Sequence, residues 1–278
     1  MQLLPFATAA AFGEAAGRWL EADERDNNLI LSVYHGAVRR GDASRSWLVS
    51  GDTGPQLALW QSPPHYLLLS QGSAEAAGWA AERIEAELPG VMGPAAVADA
   101  FAERWARGHS QTAHLNSAMT FYALDRLAPF RRPGGGMRRA APEEFERLAP
   151  LAAAAAREMN LPLPEQKPVE VEKGLRRALA DGKQFVWAEG DSIRAMAAYA
   201  EALPHGGARI RGVYTPAEFR GRGYGSAIVG TLTEMLLEGG QGWVSLFADN
   251  ANPTSTGIYR RLGFEPRLIF KSWRFDAE

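Results

Sequence analysis

From Ser226 to Glu238 apolar residues return at helical spacing. Ile228, Leu232, Met235 and Leu236 stand at i, i+4, i+7 and i+8, and Gly239-Gly240 ends the run. Upstream, Val213-Tyr214-Thr215 is a short β-rich stretch that passes through a Pro-containing turn into Arg220-Gly221-Arg222-Gly223-Tyr224-Gly225. A glycine-rich loop therefore opens onto a helix N-terminus. The rest of the second half has the same mixed texture. It predicts a strand over Met137–Ala141, helices over Pro142–Glu158 and Val169–Asp181, and a hairpin of Lys183–Glu189 with Ser192–Ala200 turned at Gly190-Asp191. Strands follow over Arg209–Thr215 and Trp243–Ala248, then a helix over Thr254–Leu262 and a closing strand over Arg267–Phe275.

The first half predicts helices over Thr8–Ala22, capped by Thr8, and over Asn28–Arg40. Three short strands follow, Ser46–Ser50, Gln56–Gln61 and Tyr66–Ser70. Next come a helix over Ser73–Leu88, a loop over Gly90–Pro94, a helix over Ala95–Arg107 and a strand over Ala118–Leu124. Leu127–Gly136, with Pro129, Pro133 and three successive glycines, punctuates the chain. The expected division is an N-terminal α/β domain over 1–130, a linker over 131–136 and a second domain over 137–278.

Composition narrows the class. The 278 residues are 46% hydrophobic and 22% charged with a net charge of −2, so no basic field invites nucleic acid or an anionic membrane. There is no cysteine, which excludes disulfides, thiolate nucleophiles and Cys-type zinc sites and agrees with a reducing cytoplasm. The apolar N-terminus is interrupted by Glu14 and Arg18 and reads as an amphipathic helix, not a signal peptide. No uncharged run is long enough for a membrane span. No metal site is expected.

The loop suggests the chemistry. Glycines let the backbone approach a ligand, and the first N–H groups of a helix lack internal partners, so the place suits an anion, above all a phosphate. It is not a P-loop, because no Lys-Ser/Thr follows, and Gly221, Gly223 and Gly225 do not fit the dinucleotide register. It does match Arg/Gln-x-x-Gly-x-Gly/Ala as Arg220-x-x-Gly223-x-Gly225. Some 27 residues after Gly225, Asn252 precedes a helix bearing Tyr259 and ending in Gly263-Phe264. Over roughly Met137–Phe275 the chain resembles the GCN5-related N-acetyltransferases, the GNAT family. The resemblance implies an α/β (α+β) fold with a mixed central sheet flanked by helices. The first half, with a similar order of elements but no such loop after Tyr66–Ser70, is expected to be a second, degenerate GNAT-like unit without a cofactor site.

The resemblance also implies acetyl-CoA as cosubstrate, lying between two splayed strands, here Arg209–Thr215 and Trp243–Ala248. Val213, Tyr214 and Thr215 would meet the pantetheine arm, and Arg220, Gly221, Arg222, Gly223, Tyr224, Gly225 and Ser226 the pyrophosphate. Asn252 would meet the pantetheine or acetyl end, or act as a plain helix cap, or both. Tyr259 would be the general acid toward the leaving thiolate. A base is not legible. Arg209, Ile210 and Arg211 stand where some relatives carry a glutamate, which leaves Glu201, His205 or a water chain. Asp249 reads as turn chemistry. The expected reaction is acetyl transfer to a primary amine, a small molecule before a protein, in a cytoplasmic monomer or homodimer. The alternative is a non-catalytic acyl-CoA-binding module.

Overall fold

The structure is a computed structural model that describes residues 1–158, 167–200 and 203–277. Among the described residues twelve strands form a single sheet. In chain order the elements are β1 (Gln2–Phe6), α1 (Ala9–Glu21), α2 (Asn28–Arg40), β2 (Arg45–Gly51), β3 (Gly54–Gln61), β4 (Leu67–Leu69), α3 (Ala74–Ala81), β5 (Gly90–Pro94), α4 (Ala95–His109) and β6 (Gln111–Leu124). They continue as β7 (Gly136–Arg139), α5 (Phe145–Glu158), α6 (Lys167–Ala180), β8 (Gln184–Glu189), β9 (Ser192–Tyr199), β10 (Gly207–Tyr214), α7 (Tyr224–Glu238), β11 (Trp243–Asp249), α8 (Pro253–Arg261) and β12 (Glu265–Ala277). The two halves thus repeat one order: strand, two helices, three strands, helix, strand, helix, strand. The expected tandem of two similar α/β halves is what the chain forms.

Two strands of that repeat were not legible in the pattern. The N-terminal residues expected in an amphipathic helix form β1, which pairs antiparallel with β2 from Gln2↔Ser50 to Phe6↔Ser46. The helix begins only at Ala9, with Thr8 Oγ1 accepting the Ala11 amide at 3.2 Å. Gly90–Pro94, expected as a loop, is the wholly buried strand β5, and the preceding helix stops at Ala81. The residues that look like turn chemistry are there for space. A Cβ on Gly90 would lie 2.3 Å from the Trp273 carbonyl oxygen, and one on Gly93 would lie 2.8 Å from the Leu69 Cβ.

The sheet order is β1-β2-β3-β4-β5-β12-β6-β11-β10-β9-β8-β7. β4 and β5 are parallel, as are β10 and β11. The last strand of each half has changed places with the other. β12 lies antiparallel against β5, β6 lies antiparallel against β11, and β6 and β12 pair along twelve residues from Glu265↔Ala123 to Ala277↔Gln111.

Strand alternation sorts the helices onto two faces. On β11, Val244, Leu246 and Ala248 pack with α7 and α8, while Trp243 and Phe247 pack with α1 and α2. On β8 and β9, Val186 and Met196 turn to α5 and α6, while Trp187 and Ala195 turn to the α7 side. α1, α2, α5 and α6 therefore share one face.

Polar contacts tie the α1–α2 turn to the second half. The buried Glu24 carboxylate accepts the His205 and Gly207 amides at 2.7 and 3.2 Å. Arg267 of β12 donates to Asp26 at 2.9 Å, while Arg25 pairs with Asp125, just after β6. The stretch between β6 and β7 lies along α7. Phe130 occupies the space over Gly230, and Arg132 pairs with Glu234 at 2.5 Å. Among the described residues no helix is long and apolar enough to cross a membrane.

Because β12 and β6 each belong to both halves, unfolding in urea should be one transition, with far-ultraviolet circular dichroism and tryptophan fluorescence coinciding. Gly90→Ala forces a methyl against the β12 backbone and should lower stability by about 1–3 kcal/mol without splitting that transition. Two separate transitions in the wild type would contradict the interlocked architecture.

Candidate active site

The fork between β10 and β11 is the centre of the site. The strands pair only at Gly207↔Trp243, Ala208↔Val244 and Arg209↔Ser245. Beyond Arg209 they have no ladder partner in each other, so backbone groups there are left for a ligand. On its other edge β10 slips register against β9 between Arg211 and Tyr214, where Gly212 has φ +61°. This bulge resets the alternation: Val213 packs toward α7 while Tyr214 turns toward α5.

The nine residues Thr215–Gly223 connect β10 to α7. Gly221 and Gly223 have φ +75° and +89°, the left-handed region that glycine adopts without strain. Gly223 precedes the first turn of α7 with no side-chain cap, and its carbonyl accepts the Ala227 amide at 2.9 Å. Among the described residues no hydrogen bond engages the amides from Gly221 to Ser226. Nothing lies within 4 Å of where a Cβ would stand on Gly221 or Gly223. Open space faces a row of unengaged donors at the positive end of a helix, which makes a cradle for an anion.

The equivalent place in the first half is built differently. Only Ser70–Ser73 connects β4 to α3, and Ser73 Oγ already accepts the Ala76 amide at 3.2 Å. A Cβ on Gly72 would strike the Gln56 carbonyl at 2.3 Å.

The expected site residues fall into three groups. Val213, Tyr214, Thr215, Arg220, Gly221, Arg222, Gly223, Gly225 and Ser226 line the fork and its loop, with Arg222 exposed at the mouth. Arg220 donates to the Thr215 carbonyl at 2.9 Å and to Glu158 at 2.6 Å. Tyr224 lies in the same loop, but its side chain turns inward, 7% exposed, and donates to Glu189 at 3.1 Å, so only its backbone is free for an anion.

Asn252 precedes α8 as its N-cap and Tyr259 lies on it; the helix packs against the loop, with the Ile258 Cδ1 3.9 Å from a Cβ built on Gly225. The Asn252 side-chain oxygen caps the helix, accepting the Ser255 amide at 3.2 Å. Asp249 makes the expected turn, accepting the Ala251 amide at 2.9 Å. The Tyr259 ring stands between Tyr122 and Phe264, at centroid distances of 6.4 and 6.1 Å. Burial pushes its phenol up to about 12, with a hydrogen bond to Ser255 opposing.

Of the expected bases, Glu201 and the loop Asn160–Pro168 expected over the acceptor fall outside the described residues, apart from the last two loop positions. His205 does not reach the fork. It precedes β10, five residues before Ile210 and so roughly 16 Å along an extended chain, and its imidazole is 3.8 Å from Glu21. Glu158 carries no sequence signal, yet the structure brings it to the site. Its carboxylate accepts from Tyr214 Oη at 3.1 Å and from Arg220 at 2.6 Å.

The face of the fork opposite α7 opens into a cavity of about 410 Å³ between the halves, bounded by α2 and the β3–β4 turn on one side and by α6, β9 and β10 on the other. Arg209 and Arg211 project into it. Burial, then the neighbouring Arg211, lowers Arg209 to about 10.

The titration of Tyr259 can be read directly. By NMR of ring-labelled tyrosine, the resonance lost in Tyr259→Phe should be one that stays protonated to about pH 12. Because the folded-state value lies above the ordinary one near 10, the stability it supplies is complete below pH 10 and is lost as pH rises through about 12. The wild type should therefore lose more stability across that window than Tyr259→Phe.

Comparisons with known proteins bear on the fold. Residues 190–274 match the family model described as FR47-like protein. An uncharacterized N-acetyltransferase of Methanocaldococcus jannaschii is 33% identical over 66 residues, which is 24% of this chain and 29% of that protein's length. Among solved structures, an acetyltransferase from the GNAT family of Colwellia psychrerythraea superposes with a TM-score of 0.64 at 10% identity, covering 99% of this chain and 100% of the other. A tandem GNAT protein from the clavulanic acid biosynthesis pathway gives 0.54 at 15% identity, covering 98% and 97%.

Proposed function

We propose that this chain, whose C-terminal half has the GCN5-related N-acetyltransferase fold within a tandem of two such halves, moves an acetyl group from acetyl-CoA to a primary amine. One observation carries the reading: a loop with two left-handed glycines and unengaged amides opens onto the uncapped N-terminus of α7, beside two strands that part after Arg209.

The residues present fit acetyl-CoA. The amides of Gly221–Ser226 would take the pyrophosphate, with Arg222 and a released Arg220 adding charge. The unpaired edges of Val213, Tyr214 and Thr215 would meet the amide-rich pantetheine arm, and the Asn252 side chain retains its amide hydrogens for the same ligand. Acetyl-CoA supplies an activated thioester, whose C–S bond breaks as the amine nitrogen bonds to the acetyl carbon.

Tyr259 stays protonated at every working pH. A phenol held near 12 donates a hydrogen bond to the departing thiolate but gives up its proton only uphill, since thiols lie near 8.5. Its role is to stabilise the developing negative charge, and the thiolate can leave as such. A backbone amide of the fork, that of Val213, would serve the carbonyl oxygen. An ammonium acceptor gives up one proton before attack and the acetylated nitrogen a second after it, and both would go to water, because β10 presents Arg209 and Arg211 where the resemblance implies a carboxylate base. That same substitution favours the second reading, a non-catalytic acyl-CoA-binding module.

Calorimetry with acetyl-CoA and assay of free CoA separate the readings. Wild type should bind acetyl-CoA, and Gly223→Asp, which puts a strained and negative residue into the cradle, should not. Tyr259→Phe should keep the dissociation constant and lose about 10- to 100-fold in kcat, the worth of one hydrogen bond to a charged group. Binding without turnover toward any amine would leave the binding module, and absence of binding would remove both.

A further inference from the structure

Among the described residues the cavity on the open face of the fork has an unbalanced charge. Its carboxylates are already engaged. Asp42 pairs with Arg40 at 2.7 Å, Glu170 stands 3.7 Å from both Lys173 and His65, and Asp181 is 3.9 Å from Lys183. Three guanidinium groups, those of Arg177, Arg209 and Arg211, line the same space, and among the described residues none has a carboxylate within 4 Å. Arg209 donates one N–H to Ser32 Oγ at 2.9 Å, but its Nε is buried with no hydrogen-bond partner. A buried donor without an acceptor costs free energy, and so do like charges gathered where protein replaces water. Both costs are removed by the same thing, an oxyanion between the three groups. Arg211 keeps contact with the solvent in the cavity, so the place is open to a ligand.

The position gives this meaning. Arg209 is the last β10 residue paired with β11, and Arg211 is two residues, about 7 Å of strand, from Val213. Both point to the face opposite the one that α7 covers, since Ala208 and Ile210 pack under α7. A molecule held here would approach the fork from the side away from the anion cradle. The first half supplies the far wall through Ser32, Gly36 and the β3–β4 turn.

We propose that the cavity between the halves is the acceptor site and that Arg177, Arg209 and Arg211 hold an oxyanion on the acceptor, a carboxylate or a phosphate monoester, so that the substrate is a short amine with an anionic tail. The inference rests on the acetyl-transfer reading above and sharpens the acceptor from an amine in general to a zwitterionic one. Arg209 and Arg211 would thus act in binding and positioning the acceptor, not as a base.

Two pairs of amines differing only in the tail test it: 4-aminobutanoate against 4-aminobutanamide, and phosphoethanolamine against ethanolamine. With wild type, at least one anionic member should exceed its neutral counterpart by tenfold or more in kcat/KM, and the pair that responds tells carboxylate from phosphate. Arg211→Ala should reduce that preference to within about twofold by raising KM while acetyl-CoA still binds. Arg177→Ala, on α6, serves if the β10 variant fails to fold. An equilibrium arm needs no donor. The preferred anionic amine should raise the melting temperature of wild type and of Gly223→Asp but not of Arg211→Ala, and Arg211→Ala alone should melt higher than wild type because a repelling neighbour is gone. Thermal stabilisation that depends on Arg211, with no transfer to any amine, would support the anion site while removing the acetyl-transfer reading. Equal use of charged and neutral members, a preference that survives Arg211→Ala, or no thermal response to either anion would overturn the proposal.

Discussion

The antiparallel pairing of β6 with β12 is the contact on which the rest depends. Each is the last strand of its half, and each sits beside the fifth strand of the other. Twelve residue pairs join them, and Phe121, Phe270 and Phe247 pack across the seam with ring centroids 5.0–6.5 Å apart. Without β6, β11 would have an open edge on the side away from β10, and the fork would lose one of its two supports. The site in the second half is therefore built on a strand from the first.

That arrangement lets one strand pair separate without the sheet failing. A gap in the middle of a sheet leaves two rows of unsatisfied backbone groups, which a soluble fold keeps only where something else holds the strands in place. Here β10 is held by β9 along its other edge and β11 by β6 along its own. Gly212 takes up the curvature on the β10 side through its bulge. The glycines of the next loop do different work. They bring main-chain amides to the surface in a conformation that a side chain would strain, and the first turn of α7 extends the row. The result is a polar slot whose donors come almost entirely from the backbone, so the side chains nearby are free to set what else is bound.

What could be read in the sequence was what depends on local chemistry. Gly221, Gly223 and Gly225 with Arg220 mark a loop whose spacing reflects the turn it must make, and Asn252 and Tyr259 follow at the distance that one helix, one strand and one turn occupy. What could not be read depends on distant neighbours. β5 is five buried residues that begin at Gly90 and end at Pro94, and its glycines answer to residues outside the stretch, Gly90 to Trp273 and Gly93 to Leu69. β1 has the composition of a helix start and is a strand because β2 offers it an edge. The strand exchange leaves no local mark, because β6 and β12 would read alike in either position. Arg209 and Arg211 are legible only as a departure, arginines where the family resemblance implies a carboxylate base. Their company came from α2 and α6, remote in sequence from β10 and from each other.

The two halves share one order of elements, yet only one has kept an anion cradle, and the difference lies in a connection. Four residues join β4 to α3, and Ser73 closes the helix end with its own hydroxyl; nine join β10 to α7, and the helix end is left open. A half without a cradle still presents a face. α2 stands across from α6, Ser32 binds Arg209, and Glu24 fixes the two amides that lead into β10. Those contacts set how far Arg209 stands from the opposite wall, and with it the width of the cavity. In the interlocked chain packed helices and the β3–β4 turn bound it, so the first half sets part of the shape and charge of the space beside the fork.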